Sequence, residues 1–158
     1  MNNKRPILFA TDGSPSADEA QRQAFDLAKL TGAPLLVVSV SHATLPAVGY
    51  SAYGYSEIVS ELRNAEHHRL DALLAATTEA AAAEGIDCTT VGADGVIVEE
   101  ICRIANERHA QLVVVGSHGW GAARRFLSGS VSTGLVHSAP CPVLVVRASD
   151  SALKQAAA

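Results

Sequence analysis

Residues 112–130 read LVVVGSHGWGAARRFLSGS. An apolar, β-branched run ends at Gly116, and from there the stretch holds four glycines, a histidine, a tryptophan and two adjacent arginines. A short apolar run of this kind is typical of a buried strand, and glycines beyond it leave backbone N–H groups without an obstructing Cβ. The stretch therefore predicts a strand that leads into a loop able to hold an anion through its backbone.

Four further apolar runs are spaced along the chain. They are ILFA, LLVVSV, TTVGA and PVLVVR, at residues 7–10, 35–40, 89–93 and 142–147. Near-continuous apolar strands that alternate with helical segments are typical of a mostly parallel sheet covered on both faces. The pattern predicts an α/β fold of the three-layer, Rossmann-like kind, with helices on both faces of an open sheet.

Helical segments fill the gaps between these runs. The first is predicted to begin at Ser14 and Pro15, a capping residue followed by the residue that suits the first helical position, and to end at Gly32. Ser16 and Glu19 also have the spacing of a capping box. The other helices are predicted over about 57–84, over about 98–108, and from near Gly129 to before Ala139. The inward-facing apolar residues of the second and third helices are predicted to be Ile58, Leu62, Leu70, Leu73, Leu74, Ile101, Ile104 and Ala105.

Length and apolar pattern set limits on the class of protein. The chain of 158 residues has the size of one domain, expected over residues 1–148 and followed by a frayed tail over 149–158. No apolar stretch reaches the roughly 18 residues that span a bilayer, and Thr11, Asp12 and Gly13 interrupt the first one too early for a signal peptide. A cytoplasmic protein is expected.

Charge and cysteine content narrow the class further. Twelve lysines and arginines against sixteen acidic residues argue against a broad nucleic-acid surface, so any anion must be held locally. Cys88, Cys102 and Cys141 are odd in number and widely spaced, which predicts buried free thiols and neither a disulfide framework nor a zinc site. The histidines also lack metal-ligand spacing.

Standard phosphate-binding motifs are absent from the glycine-rich stretch. It has no GxxxxGK[ST], because Ala122 follows Gly116 and Gly121 where the lysine belongs, and no GxGxxG, because Arg124 stands in the last glycine position. The helix predicted to begin near Gly129 would still direct its unpaired N–H groups and positive dipole end at the same loop. An anion site is therefore predicted without a P-loop or an ordinary dinucleotide fingerprint.

The first strand ends in ATDGS and supplies a carboxylate, Asp12. If the first and fourth strands are neighbours, Asp12 stands opposite the Gly116 loop, at the edge where open α/β sheets bind ligands. A carboxylate there accepts hydrogen bonds from ribose hydroxyls, and Arg124 or Arg125 would add positive charge for a phosphate. Two interpretations stay open, since Asp12 either meets a nucleotide or ties the turn into the first helix.

The spacing G-x2-G-x9-G-S is met by Gly116, Gly119, Gly129 and Ser130. With this motif the chain resembles the universal stress protein family, in its nucleotide-binding branch. The resemblance covers residues 4–147 and also rests on ILFATDGS, LVVVGSHG and GSVSTGLVHSAPCPVLVVR. GADGVIVEEI departs from the family because it lacks the proline that commonly precedes the third helix, and Trp120 occupies a variable position.

The resemblance implies a five-stranded parallel sheet of order 3-2-1-4-5 that binds ATP, or ADP or AMP, with Mg²⁺ held through the phosphates. The residues implied to border the adenine and ribose are Ala10, Thr11, Asp12, Val40 and Val115. Those implied to hold the ribose and phosphates are Gly116, Ser117, His118, Gly119, Gly129, Ser130, Val131 and Ser132. Arg125 is expected beside them because of its charge, not because of the resemblance.

The resemblance further implies a homodimer formed through the last strand, Pro142 to Arg147, and a role as a sensor or regulatory module in the stress response. Two alternatives stay open. One is a slow Mg²⁺-dependent ATPase in which His118 or Asp12 positions water. The other is an interaction protein with a vestigial nucleotide site, whose partner surface would include the tyrosine-bearing segment 42–56. No nucleophile motif or orienting acid accompanies His118, so no catalytic residue is expected.

Overall fold

The computed structural model describes residues 4–42, 55–118 and 129–148, without the side chains of residues 55–58. Within this part of the chain, five parallel strands form one sheet in the order β3-β2-β1-β4-β5. The strands are β1 Ile7–Ala10, β2 Leu35–Ser41, β3 Cys88–Asp94, β4 Leu112–Gly116 and β5 Val143–Val146. The α/β class and the strand order implied by the family resemblance are both confirmed.

In the described ranges, four helices cover the sheet in two layers. They are α1 Pro15–Thr31, α2 Tyr55–Ala83, α3 Ile97–Glu107 and α4 Ser130–Ser138. Side chains of a strand point alternately to its two faces, so Phe9 of β1 lies in one apolar cluster with Phe25 of α1 and with α2. Leu8 lies in a second cluster with Ile104 of α3 and with α4. This two-sided burial explains why the inner strands β1, β2 and β4 are nearly continuously apolar.

The strand order reverses beside β1. From β1 the chain moves outward through β2 to β3, then returns to β4 on the other side of β1. Ala10 at the end of β1 is in register with Val115 of β4, so the two strands end side by side. In open α/β sheets the crevice at such a reversal is where ligands bind.

The ends of α1 follow local chemistry. Ser14 is the N-cap, and its side chain accepts a hydrogen bond from the backbone N–H of Ala17. Gly32 ends the helix in the left-handed region with φ of 64°. The capping-box interpretation of Ser16 and Glu19 is wrong, because Ser16 lies inside the helix and is buried.

Helix α2 buries a shorter stripe than its sequence predicts. Leu70 and Leu74 are buried, as predicted, but Leu62 is 56% exposed. The helix has 29 residues and spans roughly 43 Å, whereas the 7 residues of β3 span roughly 23 Å. His67 reaches Asp94, the last residue of β3, so none of the described strands lies beneath the turns before His67. Helix α3 buries Ile101, Ile104 and Ala105 as predicted.

The three cysteines are free thiols, as predicted, but they are partly exposed rather than buried. No helix within the described ranges is long and apolar enough to cross a bilayer.

Candidate functional site

The turn from β1 into α1, residues 11–14, is held by its own polar groups. Asp12 Oδ1 accepts a hydrogen bond from the Ser14 backbone N–H at 2.9 Å, and Thr11 Oγ1 accepts one from the Gly13 N–H at 3.2 Å. Gly13 has φ of +74°, a conformation that glycine adopts without strain. The interpretation that Asp12 ties the turn into the first helix is therefore confirmed.

The end of β4 lies against this turn. Ser14 Oγ is 3.2 Å from the carbonyl oxygen of His118 and donates a hydrogen bond to it. The backbone N–H of Ser117 donates to the Val146 carbonyl of β5 at 2.7 Å, so the strand geometry continues one residue past Gly116. The segment that follows β4 is thus anchored between α1 and β5.

The first turn of α4 is fixed to the same segment. The Gly129 N–H donates to the Ser117 carbonyl at 2.6 Å. The Ser132 hydroxyl donates to the same carbonyl at 3.2 Å and to the Gly129 carbonyl at 3.0 Å. Ser132 is buried and ties the helix to the loop, whereas Ser130, the first helical residue, is exposed. The amino end of α4 therefore opens at the carboxyl edge of β4.

These contacts bring together most residues predicted to form the site. Five of them are buried, namely Ala10, Thr11, Val115, Ser117 and Ser132. Those at the surface of the crevice are partly or fully exposed, namely Asp12, Val40, Gly116, His118, Gly129, Ser130 and Val131. Gly119 and Arg125 lie outside the described residues, as do Trp120, Arg124 and most of the tyrosine-bearing segment.

Gly116 has a packing role that the sequence did not reveal. A Cβ at this position would lie 2.7 Å from the backbone carbon of Ser16 and 2.9 Å from the Ala17 nitrogen. The first turn of α1 therefore crosses β4 at a distance that only glycine permits. Glycine is required here for helix–strand contact, independently of any ligand.

His118 is oriented by its neighbour in sequence. Its Nδ1 lies 2.9 Å from Ser117 Oγ, while its carbonyl receives the Ser14 hydroxyl. These contacts place His118 at the lining of the crevice. Among the described residues no group of three or more His, Cys, Asp or Glu could hold a metal ion.

Arg69 of α2 belongs to the site and was not predicted. Its Nη1 donates to the Asp12 carbonyl oxygen at 3.1 Å, and its Nε and Nη2 donate to the two carboxylate oxygens of Glu66 at 2.9 Å each. The hydrogen bonds with Glu66 raise the pKa of Arg69 above its usual value and lower the pKa of Glu66. The spacing of Glu66 and Arg69 indicates only a surface ion pair, so nothing in the sequence pointed to the third contact.

The amino-acid sequence matches a known family over nearly its whole length. Residues 4–147 match the model of the Universal stress protein family. The chain belongs to this family. It is 34% identical over 146 residues to universal stress protein MJ0531 of Methanocaldococcus jannaschii, across 92% of this chain and 84% of that relative.

Solved structures of universal stress proteins share the fold. UspA from Lactobacillus plantarum has 27% identity and a TM-score of 0.76, covering 92% of this chain and 100% of that one. A universal stress protein from Archaeoglobus fulgidus, solved in complex with dAMP, has 23% identity and a TM-score of 0.59, covering 92% of this chain and 99% of that one.

Proposed function

We propose that this universal stress protein binds an adenine nucleotide, ATP or its ADP and AMP relatives, and acts in the stress response as a dimeric sensor or regulatory module. One observation carries the proposal. The Asp12 turn and the amino end of α4 converge where the strand order reverses, joined through Ser14, His118, Ser117 and Gly129. A carboxylate and a helix amino end at one crevice suit the two polar ends of a nucleotide.

The donors at the crevice fit this ligand class. In the first turn of an α-helix the backbone N–H groups lack intrahelical acceptors, and the helix dipole favours an anion there. In α4 these groups belong to Ser130, Val131 and Ser132, which would hold the phosphates together with residues 117–119 and Arg125. The phosphates would in turn hold Mg²⁺, which neutralises their charge when bound.

The other end of the ligand has matching chemistry. An ionised carboxylate such as that of Asp12 can only accept hydrogen bonds, and ribose hydroxyls can donate them. Ala10, Thr11, Val40 and Val115 lie within one residue of the ends of three neighbouring strands, β1, β2 and β4, and would border the adenine. The dAMP in the Archaeoglobus fulgidus relative supports an adenine nucleotide as the ligand class.

The binding proposal is tested by calorimetric titration of ATP with Mg²⁺ into protein freed of any co-purified nucleotide. We expect Ser130→Asp to weaken ATP binding by at least about tenfold, because it sets a carboxylate beside the phosphates. It should leave adenosine binding unchanged. Aspartate in the first turn of a helix is favourable for folding, so the variant keeps its stability.

The matched control is Gln23→Glu, which adds the same charge on an exposed position two turns into α1. We expect it to bind ATP like the wild type. Wild-type protein that binds no ATP, ADP or AMP would refute the proposal. Ser130→Asp protein that binds ATP normally would refute the placement of the phosphates at α4. Steady hydrolysis that His118→Ala abolishes without loss of binding would favour the slow ATPase.

The dimer proposal concerns β5, which among the described strands pairs only with β4. The Pro142 carbonyl accepts a hydrogen bond from the Val113 N–H of β4, and the Val146 carbonyl accepts one from the N–H of Ser117, the residue after β4. Backbone groups alternate along a parallel strand, so those of Val143 and Val145 point away from β4, toward the edge. An apolar edge strand of this kind is usually covered, and a second copy of the chain would cover it.

Val145→Pro tests this edge. Proline removes the outward N–H without touching the ladder with β4, so we expect a dimer to become a monomer in sedimentation equilibrium. Val145→Thr, which keeps the N–H and the shape, should remain dimeric. A proline variant that stays dimeric would place the interface elsewhere.

A further inference from the structure

We propose that Arg69 is a positioning residue for the nucleotide: with Glu66 it holds the Asp12 turn so that the carboxylate meets the ribose. The inference rests on the proposed function, because it concerns the same crevice. It adds a residue of α2, a helix that supplies none of the motif residues.

The contact acts on one peptide group. The carbonyl of Asp12 and the N–H of Gly13 belong to the same peptide plane. Arg69 Nη1 donates to the carbonyl at 3.1 Å, and the N–H donates to Thr11 Oγ1 at 3.2 Å. The plane is thus held at both ends. Without Arg69 one end is released, next to a glycine whose backbone has more freedom than any other residue.

The orientation of this plane sets the direction of the carboxylate. Asp12 Oδ1 receives the Ser14 N–H at 2.9 Å, and this contact needs the turn in its present form. A rotation of the preceding peptide would move Gly13 and Ser14 relative to the Asp12 side chain. Fixing the plane therefore keeps the carboxylate ready for a ligand, which reduces the ordering required on binding.

Arg69 is itself held in place. Its paired donors engage both carboxylate oxygens of Glu66 at 2.9 Å, a bidentate geometry that restricts the guanidinium. One turn further along α2, Leu73 lies beside Gly13, since a Cβ added to that glycine would be 3.5 Å from the Leu73 methyl groups. Helix α2 therefore approaches the turn with the polar side chain of Arg69 and the apolar side chain of Leu73.

Arg103 of α3 offers a close comparison. It makes the same kind of ion pairs, with Glu100 and Glu107, and its side chain is 49% exposed against 46% for Arg69. Its described partners all belong to α3, and none lies on the Asp12 turn. Replacing Arg103 therefore removes two surface ion pairs of α3 and leaves the crevice unchanged.

The experiment compares ATP with 2′,3′-dideoxy-ATP, which lacks both ribose hydroxyls, by calorimetry. We expect Arg69→Met to weaken ATP binding roughly three- to tenfold, the effect of losing about one oriented hydrogen bond. It should weaken dideoxy-ATP by less than about twofold on the same scale. Arg103→Met should bind both like the wild type. Glu66→Gln should shift ATP binding in the same direction as Arg69→Met, and Arg69→Lys should restore part of it by donating to the carbonyl.

The outcomes separate the two proposals. Wild-type protein that binds neither nucleotide would refute the proposed function and this role with it. Wild-type protein that binds ATP, with Arg69→Met weakening both nucleotides equally or neither, would refute only the positioning role. Urea denaturation of the Arg69→Met and Arg103→Met variants first establishes that both are folded. If Arg69→Met does not fold, the binding of ATP and of dideoxy-ATP to Arg69→Lys and Glu66→Gln tests the positioning role instead.

Discussion

The Ser14 hydroxyl links the start of α1 to the end of β4. It donates a hydrogen bond to the His118 carbonyl oxygen, 3.2 Å away and 104 residues later in the chain, and accepts one from the Ala17 N–H at 3.3 Å. One side chain therefore caps a helix and fixes the segment that leads to the glycine-rich loop. The stability of the fold and the shape of the crevice depend on the same atom.

Replacement of Ser14 by alanine removes both contacts. We expect Ser14→Ala to lower the free energy of unfolding by about 1–2 kcal/mol, the usual cost of a lost helix cap. It should also weaken nucleotide binding, because the His118 carbonyl is released. Urea denaturation measures the stability, and Ser138→Ala, at an exposed position of α4, should change it little. Equal stability of the two variants would contradict the dual role.

Two strand glycines should respond oppositely to alanine. Gly116→Ala forces a Cβ to within 2.7 Å of the Ser16 backbone, so we expect the free energy of unfolding to fall by about 2–3 kcal/mol. At Gly92 the nearest atom, of Leu74, is 3.7 Å from an added Cβ, an ordinary contact. Gly92→Ala should keep the stability or raise it by up to about 1 kcal/mol. A tolerated Gly116→Ala would show that α1 can move away from β4.

Two serines of β2 differ in their hydroxyl partners. Ser39 Oγ donates to the Thr11 carbonyl at 2.9 Å, whereas Ser41 Oγ is buried and has no hydrogen-bond partner within the described ranges. Removing a satisfied hydroxyl costs stability, and removing an unsatisfied one does not. We expect Ser39→Ala to lose about 1 kcal/mol of unfolding free energy and Ser41→Ala to lose none, in urea denaturation. Equal losses would show that Ser41 has a partner in the folded protein.

The thiols should react slowly in the folded protein. Partial burial, which disfavours the charged thiolate, raises the pKa of Cys88, Cys102 and Cys141. The thiolate is the reactive form, so at pH 8 each should react with Ellman's reagent more slowly than glutathione does. In urea the three should react at ordinary rates. A thiol that reacts faster than glutathione in the native protein would contradict the pKa direction.

The same pKa direction has a consequence for stability. The unfolded chain releases its thiol protons at the ordinary pKa of about 8.5, before the folded chain does. The unfolding free energy should therefore decline as the pH rises through and above that value. Replacing all three cysteines by alanine should reduce this decline, which urea denaturation between pH 7 and 10 would show.

Much of the architecture followed from local patterns. The β-branched apolar runs predicted the strands to within one or two residues, and Ser14 and Gly32 marked the ends of α1. The motif glycines and the strand ends indicated one crevice. The predictions failed where a residue's surroundings come from elsewhere in the fold. Leu62 fits an apolar stripe, but α2 extends past the sheet there, so the side chain is exposed.

Strands, helices and the glycine spacing depend on residues close together in the chain, so the amino-acid order was enough to establish them. The roles of individual atoms in the crevice depend on pairs that are far apart in the chain. Arg69 meets the Asp12 carbonyl across 57 residues, and Ser132 meets the Ser117 carbonyl across 15. No periodicity or propensity encodes such a pair, because it forms only after the strand order has brought α2 and α4 to the carboxyl edge of the sheet. The folded chain alone therefore assigned Gly116 to packing and Arg69 to the Asp12 turn.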